Sequence, residues 1–484
     1  MNNRSHLFSP YDESRRCLLC HNAPCSAACS HADPARAIRA VRFGNSDLAS
    51  RWVAGADDDE LLKAEQACIH PDRPIRIRQI AASLDPVASD NNNLPDLSID
   101  FCGITCENPF FLASSAVCTG YDMVASAFQA GWAGVFFKTI CLQDIHEVSP
   151  RFDAVDYPFL AFRNMEQLSE NPADVDFDTL HRLKREFPSK VIIASVMGQT
   201  EEEWCQLARM AERAGLDGVE LNFSCPQMRQ AGLGSDIGQS PELVAAITSA
   251  VCNSVSIPVI PKMTPNITHI TLPATAAAQA GADAISAINT IKSVTMSEQA
   301  SVSGRKTVSG LSGHTIKPIA LRLILEMAQN PELKDVPLSG IGGIETWRDA
   351  LEFIQLGCSN LQVCTAVMQY GYRIIDDLIL GLRNYMAQRN ISRLDTLVGE
   401  QIPFFTAPSE LDRSSVTYPV FLHDRCIGCG RCFLSCSDGG HQAISFDSQR
   451  QPHLIGKHCV GCQLCRLICP VNAIQTSRRV PLQS

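Results

Sequence analysis

Between Cys426 and Cys469 the chain carries eight cysteines in two runs of identical spacing: Cys426, Cys429, Cys432 and Cys436, then Cys459, Cys462, Cys465 and Cys469 followed by Pro470. Each run reads C-x2-C-x2-C-x3-C, the spacing of paired four-iron clusters. Closely spaced thiolates cap three corners of one [4Fe–4S] cube, while the fourth cysteine points away and reaches the other cube. The two runs must therefore fold together. One cluster takes Cys426, Cys429, Cys432 and Cys469, and the other takes Cys459, Cys462, Cys465 and Cys436. Zinc sites use two spaced cysteine pairs and seldom repeat a third and fourth cysteine, so zinc fits this pattern poorly. The spacing implies a chain that moves electrons.

At 484 residues the chain is long enough for two or three domains, each with its own core. A net charge of −10, with 41 basic residues and no basic run, argues against nucleic acid as a partner. The first sixteen residues lack the apolar core of a signal peptide, and no apolar run approaches the ~20 residues that span a bilayer. No membrane partner is expected, and the expected compartment is the cytoplasm. There the 22 cysteines should be thiols or metal ligands and not bridges.

Composition separates three regions and a linker. Residues 1–93 are polar, helix-like and cysteine-rich, ending in the Asn-, Asp- and Pro-containing stretch from Ser89 to Asp96. Residues 94–395 alternate short β-branched runs with amphipathic segments, the signature of βα repeats around a parallel sheet. An irregular segment, 396–420, leads into residues 421–484 with their two cysteine runs. Eight strands are legible in the middle region: PFFLASS, GVFFKTI, VIIASVMG, GVELNFSCP, VIPKMTP, AISAINT, PLSGIGG and NLQVCTA. Helical patterns such as Ala320–Gln329 and Glu201–Gly215 lie between them. Eight strands with seven helices fit a (β/α)8 TIM barrel better than an open doubly wound sheet, and no G-x-G-x-x-G follows the first strand. The expected architecture is an α/β TIM barrel between an N-terminal helical cysteine-rich domain and a C-terminal two-cluster, ferredoxin-like domain.

Barrel chemistry sits at the C-terminal ends of the strands. Those ends are polar here: Ser114 and Ser115, Lys138 and Thr139, Asn222 with Ser224 and Cys225, Lys262, Asn289 and Thr290, Gly342 and Gly343, Cys364 and Thr365. Two glycines after strand seven and a small polar pair after strand eight let backbone N–H groups approach a phosphate. A lysine inside VIPKM, flanked by apolar residues, is costly unless an anion compensates it, and an anionic reduced flavin would do so. Most cysteines simply pack, as Cys102 and Cys205 are expected to. Cys225 differs, because Pro226 ends its strand and the polar, glycine-containing loop 227–240 follows, long enough to close over a substrate.

The stretches LNFSCP, KMTPN, AINT, GLSG, SGIGGIE and LQVCTA together resemble the flavin barrel of the dihydropyrimidine dehydrogenases, and the double cysteine tail is similar to that family's C-terminal clusters. The related dihydroorotate dehydrogenases share the barrel without the fused tail. The resemblance implies FMN held by Ala113, Ser114, Lys138, Lys262, Gly313, Gly342, Gly343, Cys364 and Thr365. It implies a uracil or thymine ring stacked on the flavin and met by Asn164, Glu166, Asn222, Ser224, Asn289 and Thr290, whose amides and hydroxyls supply paired donors and acceptors. Reduction of the 5,6 double bond then takes a hydride from the flavin and a proton from Cys225. Two other functions remain open: a flavin oxidoreductase acting on dihydroorotate, and a non-catalytic electron-transfer subunit.

SRRCLLCHNAPCSAAC, with Cys17, Cys20, Cys25 and Cys29, resembles the start of the NAD(P)H- and FAD-binding half of the same family. The second cysteine group found there is missing, and only Cys68 remains. One further cluster is expected on Cys17, Cys20, Cys25 and either Cys29 or Cys68, with a zinc knot or a docking domain as the alternatives. No FAD or NAD(P)H fingerprint occurs in the chain. A partner subunit binding FAD and NAD(P)H is therefore implied, with free ferredoxin as another possible donor.

Overall fold

The eight apolar runs become eight short parallel strands because each is buried on both faces, as only a covered parallel sheet allows. The structure, a computed structural model, describes residues 8–85, 95–155, 160–226, 234–296 and 304–481. The strands are β1 (Phe110–Leu112), β2 (Gly134–Ile140), β3 (Val191–Val196), β4 (Gly218–Asn222), β5 (Val259–Lys262), β6 (Ile285–Ala287), β7 (Leu338–Ile341) and β8 (Cys358–Val363). Each pairs in parallel with its neighbours in chain order, and Leu361 of β8 opposite Phe110 of β1 closes the barrel. The TIM barrel expected from the strand count is the observed fold.

Among the described residues, seven helices of eight residues or more alternate with the strands, from Tyr121–Ala130 to Trp347–Gln355. Their ends follow from local chemistry. In Glu201–Arg213 the Thr200 hydroxyl accepts from the Glu203 N–H, three glutamates fill the first turn, and Trp204, Leu207, Ala208 and Ala211 form the buried face. Thr346 and Asp349 close a reciprocal capping box on Trp347–Gln355.

Insertions after β2 and β6 build a four-stranded antiparallel sheet from Phe152–Val155, Ala161–Asn164, Ile291–Ser293 and Ser309–Ser312. Both insertions leave the barrel at strand C-termini, so this sheet belongs to the catalytic end.

Residues Met1–Ile402 form one compact unit and Pro403–Ser484 a second. Within the first, short N-terminal helices close around their own apolar cluster, which includes Ile38, Val41, Leu61, Ile75 and Ile80. This cluster is fixed to the barrel's last helix, Ile374–Gln388, by an Arg39–Asp377 ion pair at 2.7 Å and by Asn45 donating to the Asp377 carbonyl at 3.0 Å. The second unit pairs Pro419–Phe421 with Ile474–Thr476 and Ile444–Phe446 with Pro452–Leu454, bringing the two cysteine runs side by side. Among the described residues no helix is long and apolar enough to cross a membrane. None of the 22 cysteines is paired in a disulfide.

Candidate active site and cluster cages

At the C-terminal end of the barrel a cavity of about 630 Å³ is lined by Ala113, Ser114, Lys262, Asn289, Thr290, Gly313, Gly342, Gly343, Cys364 and Thr365. The glycines are required. Gly342 and Gly343 adopt φ of +130° and +82°, and a Cβ on them would meet the Ala320 Cβ at 2.7 Å and the Lys317 Cβ at 2.9 Å. The turn after β7 therefore brings bare backbone to the cavity, as a phosphate cradle needs. Thr365 donates to the Ser312 hydroxyl at 3.0 Å, tying β8 to the antiparallel sheet.

A hydrogen-bonded polar row borders this cavity. Asn289 donates to the Ser224 hydroxyl at 3.0 Å, Ser224 donates to Asn222 Oδ1 at 2.9 Å, and Asn222 Nδ2 donates to Thr139 at 2.9 Å. Thr139 continues the row to Ser114 at 3.1 Å and Ser195 at 3.0 Å. Five strands, or the residues just after them, thus contribute one string of amides and hydroxyls. Cys225 follows Ser224 directly and is buried, and its carbonyl accepts from the Ser235 N–H at 2.9 Å. The first part of the expected closing loop, 227–233, lies outside the described residues. Beyond it, Gly238 packs so tightly on the strand-four loop that a Cβ would meet the Phe223 carbonyl oxygen at 2.1 Å.

Lys138, Asn164, Glu166, Asn222, Ser224 and Cys225 are not among the residues that line this cavity, although the Lys138 charge acts on Cys364, which does. Lys138 donates to Glu166 at 2.9 Å, and Arg151 lies 3.5 Å from the same carboxylate. Asn164 lies on the antiparallel sheet, opposite Gly310 and Phe152. Burial pushes the Cys364 thiol up, against the pull of Ser115 and of the Lys138 and Lys262 charges. That makes it a poor proton donor and suits it to packing beside a cofactor.

Lys262 has a protein counter-ion that the sequence analysis did not single out. Glu220, fully buried on β4, receives Lys262 at 3.4 Å and Ser286 at 2.9 Å. Gln362 on β8 donates to Ser286 at 2.7 Å and to Ser339 at 3.0 Å. The signal was present, since a glutamate inside GVELN is as anomalous as a lysine inside VIPKM. Gln362 also lines the cavity, and its Oε1 is buried with no hydrogen-bond donor among the described residues. A ring carrying an N–H would satisfy it. With the glycine turn, this fits a flavin phosphate ester.

In the tail, Cys426, Cys429, Cys432 and Cys469 surround one cavity of about 370 Å³, and Cys436, Cys459, Cys462 and Cys465 surround another of about 370 Å³. Each cavity draws its fourth thiol from the opposite run. Backbone N–H groups point at the sulfurs: Gly428 to Cys426 at 3.4 Å, Ala443 to Cys436 at 3.2 Å and Ala473 to Cys469 at 3.2 Å. Among the described residues no three side chains converge on a point where a single ion could sit. Four thiols spaced around a void suit an inorganic cube.

Comparison with known proteins agrees with this geometry. The dihydroorotate dehydrogenase family model matches residues 96–386, and a 4Fe–4S dicluster domain matches residues 420–476. The chain belongs to the dihydroorotate dehydrogenase family. It is 49% identical over 390 residues, 78% of this chain and 95% of the relative, to the NAD-dependent dihydropyrimidine dehydrogenase subunit PreA of Escherichia coli strain K12. It is 35% identical over 346 residues, 67% of this chain and 81% of the relative, to the chloroplastic dihydropyrimidine dehydrogenase (NADP(+)) of Arabidopsis thaliana. Against the catalytic subunit of dihydroorotate dehydrogenase B (NAD(+)) of Thermococcus kodakarensis the identity is 36% over 310 residues, 63% of this chain and 97% of the relative. The family is one of FMN oxidoreductases, and the dicluster domain adds two four-iron clusters. The chain is a flavin- and iron–sulfur-dependent oxidoreductase.

Proposed function

We propose that this chain is the catalytic half of a dihydropyrimidine dehydrogenase, reversibly reducing the 5,6 double bond of uracil or thymine. The observation that carries this reading is the Asn289–Ser224–Asn222–Thr139 row at the barrel mouth, continued along the chain by Cys225. A pyrimidine edge alternates carbonyl acceptors with an imide donor, and neutral amides meet both without burying a charge. Bound FMN would supply the hydride for C6. Asn222 and Asn289 orient the ring through its carbonyls, with Asn164, Glu166 and Thr290 completing the set. Ser224 fixes both amides by donating to one and accepting from the other. Cys225 delivers the proton to C5. Ala113, Ser114, Lys138, Lys262, Gly313, Gly342, Gly343, Cys364 and Thr365 hold the cofactor, with the anionic end of the flavin beside Lys262.

Electrons reach the barrel through the tail clusters from a partner chain that holds FAD and NAD(P)H. Two facts support this. The chain carries no dinucleotide fingerprint of its own, and the 49% identical relative is by name an NAD-dependent subunit. Cysteines that are unpaired with one another suit the cytoplasm.

Anaerobically purified protein supplied with a chemical reductant should consume uracil or thymine and leave orotate untouched. Turnover of orotate alone would transfer the reading to a dihydroorotate oxidoreductase. Protein that binds no flavin and reduces neither would be an electron-transfer subunit.

A further inference from the structure

The interior of a barrel of this kind is ordinarily filled by bulky apolar side chains from alternate strands. Here β4, β6 and β8 contribute Glu220, Ser286 and Gln362 instead, all three buried. They are linked across the interior: Ser286 donates to Glu220, Gln362 donates to Ser286, and Gln362 Nε2 lies 3.5 Å from the Glu220 carboxylate, although β4 and β8 are not neighbours. Glu220 precedes Asn222 by two residues on the same face of β4, which sets it about 7 Å below the polar row at the mouth.

Lys262 joins this buried group to the cavity. Its side chain is 4% exposed, it lines the cavity, and it lies 3.4 Å from the Glu220 carboxylate. Among the described residues no other basic group pairs with Glu220, and no other acid pairs with Lys262. Glu220 itself is absent from the lining, so it acts on a ligand there through Lys262 and Gln362. A lysine placed only to meet an anion needs no carboxylate behind it, and burying that carboxylate is costly. The carboxylate offsets part of the field that Lys262 offers to the cavity, and between buried groups the offset is little screened. Negative charge arriving on a ligand beside Lys262 is then stabilised less than the lysine alone would stabilise it.

We propose that Glu220 is a positioning residue that holds the reduction potential of the bound flavin down by partly neutralising Lys262. The inference rests on the reading that places the anionic end of the flavin beside Lys262. It is independent of which substrate the barrel takes.

The test is the midpoint potential of the flavin in the full-length chain purified without oxygen, with FMN content measured alongside. Glu220→Gln keeps the size of the side chain and removes its charge. It should retain FMN and raise the potential, changing the ratio of reduced to oxidised flavin at a fixed electrode potential at least tenfold, about 30 mV for a two-electron couple. Lys262→Met should move the potential the opposite way. Glu220→Asp, whose carboxylate is drawn back from Lys262, should give a smaller rise, and it decides the matter if Glu220→Gln fails to accumulate. A role confined to packing would leave the potential of the bound flavin unmoved. A lowered potential in Lys262→Met beside an unchanged or lowered one in the Glu220 variants would overturn the role of Glu220 and leave the flavin's placement standing. An unchanged potential in Lys262→Met would overturn both.

Discussion

At the scale of single residues the decisive group is Cys225. Its neighbours in sequence, Asn222 and Ser224, are locked by two hydrogen bonds, from the Ser224 N–H and hydroxyl to the same Asn222 oxygen. The loop carrying the thiol is thus held from the barrel side, and Ser235 holds its carbonyl from the other. A positioned general acid contributes about 10² to 10⁴ in rate. Cys225→Ala should lower pyrimidine reduction by that order while the protein retains FMN and still accepts electrons from an artificial donor. Cys225→Ser should keep part of the activity, with its pH profile displaced upward because a hydroxyl is the weaker acid. A rapid Ala variant would move the proton to water or another group. The polar residues at the strand ends were legible from the sequence because polarity beside an apolar run is anomalous. The partner of each was not. Glu220 lies 42 residues from Lys262, and only closure of the barrel makes them neighbours.

At the scale of elements the tail shows how spacing becomes three-dimensional. In each run three cysteines occupy a tight loop and the start of a helix, Arg431–Gly439 or Leu464–Leu467, while the fourth lies beyond that first turn and faces the opposite cavity. Replacing Cys436 by Ala should therefore damage the cluster whose other ligands are Cys459, Cys462 and Cys465. Replacing Cys469 should damage the one on Cys426, Cys429 and Cys432. Electron paramagnetic resonance of the single variants separates the two, and loss confined to the mutated run would contradict the crossed arrangement. The crossing itself was readable from the sequence, since a C-x2-C-x2-C-x3-C run has only one way to place its fourth thiol. The choice between Cys29 and Cys68 was not. The cavity that Cys17, Cys20 and Cys25 line also takes in Cys68, while the Cys29 thiol faces the Glu60 carbonyl.

At the scale of the molecule the N-terminal helices and the barrel fold as one unit, and part of their contact is titratable. Burial pushes the Asp377 carboxyl up to about 6, although the Arg39 guanidinium beside it pulls the other way. The folded state therefore binds this proton more tightly than the unfolded chain, whose carboxyl titrates near 3.9. Stability at this site rises as pH falls through about 6, by about 1 kcal/mol between about pH 7.5 and about pH 5.5. Asp377→Asn removes that dependence. Denaturant titrations of both proteins across this range should show wild type gaining on the variant toward acid, and parallel curves would mean that Arg39 keeps Asp377 ionised throughout.

The sequence by itself determined the barrel, its strand ends and the two tail clusters. These are encoded by short-range regularities: an apolar run of strand length, a polar residue where it stops, a cysteine every third position. Such patterns survive without knowing what lies opposite them. Tertiary structure decided which groups meet across the barrel: the Asn222–Ser224–Asn289 row, the Glu220 counter-ion beneath Lys262, and the pairing of Cys68 with cysteines more than forty residues earlier. Each of these depends on chain closure, which brings together residues whose spacing in sequence carries no period.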